Sequence, residues 1–124
     1  MTAKHLLTGK YGEDLALDYL KELGWTILER NVAFAGGELD IVARERNELV
    51  VVEVRTRSEG WMQSGEDSVG PRKLRRLVRT GRKYVDSRRW DGPWRIDILS
   101  VTLRRDGQPG IERFEDVTAG GDFS

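Results

Sequence analysis

Two runs rich in alternating and β-branched residues, Glu38 to Arg44 and Glu48 to Arg57, stand on either side of the polar break Arg46-Asn47. Such a pair, joined by so short a break, predicts an antiparallel β-hairpin. If the turn has two residues, Glu45 faces Glu48, and counting back along both strands puts Asp40 opposite Glu53 and Glu38 opposite Arg55. Strand side chains alternate, so Glu38, Asp40 and Val42 share a face with Val51, Glu53 and Arg55, while Leu39, Ile41, Ala43, Val50, Val52 and Val54 form the expected core face. Two carboxylates side by side in a sheet repel one another. A neighbouring cation such as Arg55, a retained proton, or a hard divalent ion between them would relieve that repulsion.

Two readings fit this hairpin. In one it is an ordinary surface, with Glu38 salt-bridged to Arg55 and with Asp40 and Glu53 solvated. In the other it is a metal site, to which two features lend support: the acidic pair lies inside an apolar run, and a third carboxylate, Glu13, comes from a helix able to pack nearby. A pocket made only of oxygens suits Mg2+ or Mn2+ rather than zinc.

The remaining chain divides readily. A helix is expected from Thr8, as N-cap, to Leu23, stopped by Gly24, and a first strand from Trp25 to Phe34. Ser58 to Gly70, with three Gly and three Ser, is a long loop. Pro71 opens a second helix that runs to Ser87. Strands follow at Trp94 to Leu103 and Ile111 to Val117, before a frayed tail from about Thr118. The order αβββαββ describes an α/β fold in a single domain spanning residues 1–124.

Composition narrows the chemistry. At 124 residues, 38% hydrophobic and 34% charged, the chain suits one thinly cored domain. The absence of cysteine excludes disulfides, thiolate metal sites and a Cys nucleophile, and His5 alone makes neither a Ser-His-Asp triad nor a poly-His metal site. The longest aliphatic run, Leu49 to Val52, is far too short to span a bilayer. Near the start only Lys4 and the pair Leu6-Leu7 stand where a secretory signal needs an apolar stretch, so a cytoplasmic location is expected.

The residues of the hairpin carry a resemblance. Gly37-Glu38-Leu39-Asp40-Ile41-Val42 followed by Val52-Glu53-Val54-Arg55-Thr56-Arg57 resembles the split D…ExK motif of the PD-(D/E)xK nuclease superfamily. More closely, Gly12-Glu13 with Leu15-Ala16 and Tyr19-Leu20, Arg30-Asn31, and Val69 through Pro71-Arg72-Lys73 resemble the bacterial YraN-like family, itself similar to archaeal Holliday junction resolvases. The likeness runs from about Gly12 to Val101. It implies a restriction-endonuclease-like mixed sheet flanked by helices, with Asp40 and Glu53 as ligands of Mg2+ or Mn2+, Glu13 as a further acidic residue, and branched or otherwise structured DNA as substrate. Arg55 departs from the pattern, which usually has lysine there. An arginine keeps the charge and can hold a phosphate oxygen, but it stays protonated and cannot act as a base.

A net charge of zero conceals an asymmetry. Residues 72–89 hold nine basic side chains and one acidic, net +8, leaving −8 for the rest of the chain. On a helical projection Leu74, Leu77, Val78, Gly81, Tyr84 and Val85 share one arc, and Arg72, Arg75, Arg76, Arg79, Arg82 and Lys83 the opposite one. An ordinary solvated face mixes signs, so a face of nearly uniform sign predicts a polyanion, read here as a nucleic-acid backbone. Trp61, in the loop, is expected either to stack on a base or sugar or to pack on the core edge. Three functions therefore stand: a metal-dependent nuclease with Glu13, Asp40, Glu53 and Arg55 in its site; a non-catalytic nucleic-acid-binding module; and a protein-interaction domain using the basic helix. None needs a membrane, and a homodimer is compatible with each.

Overall fold

The computed structural model describes residues 2–59 and 69–118, with side chains from residue 9 onward. The elements are α1 (Thr2–Glu22), β1 (Thr26–Phe34), β2 (Gly37–Glu45), β3 (Glu48–Ser58), α2 (Pro71–Ser87), β4 (Trp94–Leu103) and β5 (Gly110–Phe114), in the expected αβββαββ order. α1 begins well before Thr8, since the Ala, Lys and Leu residues ahead of it favour helix and override its N-cap signal. α2 opens with Pro71 behind an extended Gly70 that offers no side-chain cap. The loop residue Trp61 and the tail from residue 119 lie outside the described residues.

The strands form one mixed sheet in the order β1-β2-β3-β4-β5. Only β3 and β4 run parallel, because α2 lies between them in sequence and carries the chain back to the same end. The β2–β3 hairpin has the register that a two-residue turn dictates from Glu45 opposite Glu48 to Ile41 opposite Val52. The ladder ends there, and the expected pairs Asp40–Glu53 and Glu38–Arg55 do not continue it, because the Asp40 side chain takes the Val54 N–H. Arg46 takes the left-handed conformation that the turn requires, and Arg44 Nε donates to the Arg46 carbonyl at 2.9 Å.

A single core face was expected for the hairpin, whereas both faces are buried. One core packs Ala16 and Leu20 of α1 with Trp25, Ile41, Ala43, Val50, Val52, Leu99 and Val101. The other packs Leu77, Val78, Tyr84 and Val85 of α2 with Leu39, Val42, Leu49, Val51, Ile96 and Ile98. With a helix on each side, every residue of Leu49 to Val52 is enclosed, so this run is continuously apolar. Leu39 has also changed face, joining Val42 rather than Ile41.

The change of face has a local origin. β1 and β2 pair through Arg30–Ile41 and Val32–Leu39, and between those pairs Asn31, at φ +54°, stands opposite Asp40. Both strands lose their alternation there. Arg30 reaches toward α1 while Val32 packs under α2, just as Ile41 and Leu39 divide between the two faces. The kink falls where the β2–β3 ladder stops, and it frees the Asp40 side chain from either face.

Beyond Phe114 the chain turns back to close a buried charge network. Asp97, fully enclosed, accepts from Arg95, from Arg113 and from the Asp116 backbone N–H. Arg95 also donates to Glu45 and Glu48, and the guanidinium groups of Arg95 and Arg113 lie over the Trp25 ring at 5.5 and 5.3 Å. These charges are paired with one another and hold the β3–β4–β5 end of the sheet together.

Candidate metal and phosphate site

Asp40 occupies the split between β2 and β3. Its Oδ2 accepts the Val54 N–H at 2.9 Å, filling with a carboxylate the position where a backbone carbonyl would continue the ladder. A strand N–H lies in the plane of the sheet, so the Asp40 carboxylate lies in that plane too. Glu53, one residue earlier on β3, is 4% exposed, and its side chain meets that of Asp40. Burial first, and the negative charge of Asp40 second, push the Glu53 carboxyl up from 4.5 to about 7.

Cations partly offset that repulsion. Lys73 Nζ of α2 stands 3.3 Å from Glu53 Oε2, and Arg55 Nη1 stands 3.6 Å from the same oxygen. Lys73 was counted in the basic stretch by sequence but not assigned to the site. A signal for it existed: Lys73 is one helical turn before the buried Leu77, on the seam that continues to Thr80 and Tyr84 rather than on the exposed arc.

Glu13 arrives from α1 on the other side of the sheet. Burial raises its carboxyl above the ordinary value, the Asp40 charge raises it further, and Arg30, 3.6 Å away, works in the opposite direction. Arg30 is itself held by Asp14 at 2.9 Å. α1 comes close enough for this because residue 12 is glycine: a Cβ there would collide with the Thr56 side chain of β3. Asp40 is therefore the link between two half-sites, with Glu13 and Arg30 on the α1 side and Glu53, Arg55 and Lys73 on the α2 side. Among the described residues, no three His, Cys, Asp or Glu side chains gather tightly enough to cage a metal ion.

The basic arc is exposed along its whole length: Arg72, Arg75, Arg76, Arg79, Arg82 and Lys83 all face solvent. Lys83 also donates to the Ala35 carbonyl at 2.7 Å, tying α2 to the β1–β2 turn. A close approach supports that contact, since a Cβ on Gly37 would strike Thr80. Lys73 thus joins the Asp40–Glu53 carboxylates to a surface that carries basic side chains from Arg72 to Lys83.

Residues 12–101 match a family described as Uncharacterised protein family UPF0102. The chain belongs to that family. A UPF0102 protein of Flavobacterium psychrophilum is 43% identical over 115 residues, covering 93% of this chain and 96% of that one. A UPF0102 protein of Bacteroides fragilis is 41% identical, covering 93% and 92%, and one of Pseudarthrobacter chlorophenolicus is 41% identical over 118 residues, covering 94% and 89%. UPF0102 membership bears out the YraN-like resemblance. No helix among the described residues is long and apolar enough to cross a membrane.

Proposed function

We propose that this UPF0102 protein is a metal-dependent phosphodiesterase of the PD-(D/E)xK kind, acting on DNA, with branched or otherwise structured DNA as the substrate class. The observation that carries the reading is the Asp40–Glu53 carboxylate pair, with Glu53 buried and Lys73 and Arg55 beside it. Two like charges in contact, one of them enclosed, are costly as they stand, and a hard divalent cation relieves that strain. The donor set fits Mg2+ or Mn2+: magnesium is commonly held by one or two carboxylates, with waters and substrate phosphate completing its shell, so a cage of three protein ligands is not required.

Asp40 and Glu53 would hold the ion, which when bound supplies a Lewis acid and lowers the pKa of a coordinated water. The other residues have separable tasks. Arg55 holds a nonbridging oxygen of the scissile phosphate and stabilises the charge that develops on it. Lys73 supplies, from a different element, the ammonium that the motif usually carries at position 55, and so is placed to orient water or phosphate. The Val54 N–H keeps the Asp40 carboxylate aimed into the split. Glu13 raises the negative potential around Asp40 from the α1 side. The arginines of α2 track the backbone of the nucleic acid beyond the reacting phosphate.

The deciding experiment incubates the protein with duplex, flap and four-way-junction DNA in Mg2+, in Mn2+ and in chelator. Metal-dependent nicking that disappears in Asp40→Asn and Glu53→Gln is the expected result. An inert protein that still binds DNA would replace the nuclease reading with that of a binding module. Absence of DNA binding at low salt would leave the basic helix to an acidic protein partner.

A further inference from the structure

Three buried side-chain atoms among the described residues lack a hydrogen-bond partner: Arg30 Nε, Arg57 Nη1 and Ser100 Oγ. The last two belong to one face of the sheet. β3 and β4 pair in parallel with Glu53 opposite Ile98, Arg55 opposite Ser100 and Arg57 opposite Thr102. Ile98 packs beneath α2, Glu53 meets Lys73 of α2, and Arg57 Nε donates to Thr102 Oγ1 at 3.3 Å. Glu53, Arg55, Arg57, Ser100 and Thr102 therefore project from the same side.

The orphaned groups can both donate: a guanidinium N–H, which has no acceptor capacity, and a hydroxyl, able to donate or accept, on a residue only 2% exposed. Donors buried without acceptors are unfavourable, and an acceptor-rich anion satisfies both at once. The position suits such a ligand. Two residues of β-strand advance about 7 Å, so Ser100, level with Arg55, lies one such step beyond Glu53, and Arg57 lies a further step on. That spacing follows a nucleic-acid strand from one phosphate toward the next. Glu112, opposite Ser100 on β5, stands on the far side, but it is exposed and its charge is screened.

We propose that Arg57 and Ser100 form a second phosphate subsite, which holds the phosphodiester adjacent to the one bound at Asp40 and Glu53. The proposal rests on the reading of this chain as a phosphodiester-binding protein, and it deepens that reading by assigning a direction. The nucleic-acid strand runs along the C-terminal halves of β3 and β4. Arg57 is oriented for this by Thr102, and Ser100 supplies a neutral hydrogen bond beside the guanidinium charge.

The test measures binding of a fluorescent DNA duplex by anisotropy, without metal, over a range of salt, for wild type, Ser100→Ala, Arg57→Gln and Arg57→Lys, each first checked by thermal unfolding. Arg57→Gln should weaken binding about tenfold and reduce the log–log salt slope by about one ion, whereas Arg57→Lys should keep the slope and lose part of the affinity. Ser100→Ala should weaken binding roughly threefold with the slope unchanged, since a neutral donor releases no counterion. Sulfate titrated into 15N-labelled wild type should move the Arg57 Nε–H resonance, and in Ser100→Ala the same shift should need roughly threefold more sulfate. Wild-type binding and slopes in all three variants would overturn the subsite, leaving water as the partner of the orphaned donors. Metal-dependent cleavage together with unaffected variants would defeat the subsite and retain the nuclease. Lost affinity in the variants of a protein that cleaves no DNA would retain the subsite and defeat the nuclease.

Discussion

Replacing Glu53 with glutamine should stabilise the metal-free protein, and by an amount that depends on pH. Glu53 is 4% exposed and in contact with Asp40, and its carboxyl is pushed from 4.5 to about 7. The fold therefore prefers the protonated side chain, while the unfolded chain ionises near the ordinary glutamate value. Below pH 4.5 both states are protonated and the stability associated with this preference is fully present. As pH rises from 4.5 to 7 the unfolded state releases its proton first, and that stability is lost; above pH 7 both states are ionised and the loss is complete. A displacement of this size corresponds to roughly 3 kcal/mol. Glutamine keeps the shape and carries no charge, and the Lys73 side chain, 40% exposed, stays hydrated without its partner. The stability advantage of Glu53→Gln should thus be near zero at pH 4.5 and approach ~3 kcal/mol at pH 8, on the order of 10 °C in Tm. Urea unfolding of both proteins in chelator at pH 4.5, 6 and 8 measures it. A difference independent of pH, or a variant less stable than wild type at pH 8, would refute the account of Glu53 as a buried, repelled carboxylate. Adding Mg2+ at pH 8 should raise the stability of wild type and leave the variant unchanged, because only the wild type retains both ligands.

Reversing Arg75, Arg76 and Arg79 to Glu should abolish most DNA binding at low salt and flatten its salt dependence, while leaving urea unfolding within about 1 kcal/mol of wild type, since all three face solvent. Leu77→Asp, by contrast, places a charge at a residue only 3% exposed and should lower stability by roughly 4 kcal/mol or more, read from the denaturant midpoint. Gly12→Ala drives a methyl into Thr56 and should lower stability by about 1 to 3 kcal/mol, with cleavage activity falling further than the stability change alone accounts for, because α1 and Glu13 are displaced together. Lys73→Met should reduce turnover of DNA at saturating metal more than it reduces DNA affinity, as separate single-turnover and anisotropy measurements would show.

The local chemistry of the chain was enough to establish the αβββαββ order, the two-residue hairpin turn and its register as far as Ile41 and Val52. Alternation, turn residues and Pro71 act over a few positions, and the hairpin keeps the spacing they set. The basic arc from Arg72 to Lys83 on the exposed α2 face was equally legible, because helical periodicity depends only on spacing. Other features depended on what packs against what. Leu49 to Val52 looks the same whether one face or both are covered, and only the placement of a helix on each side of the sheet encloses it twice. Strict alternation would put Asp40 on the face of Val42. The left-handed Asn31 across from it breaks the alternation in both strands and sends the carboxylate into the sheet plane, onto the Val54 N–H. Lys73 reaches Glu53 across the gap between helix and sheet, and Ser100 stands level with Arg55 through a parallel pairing between segments more than forty residues apart. Contacts of that kind are set by the docking of whole elements, where burial and close packing override the preferences of any single residue.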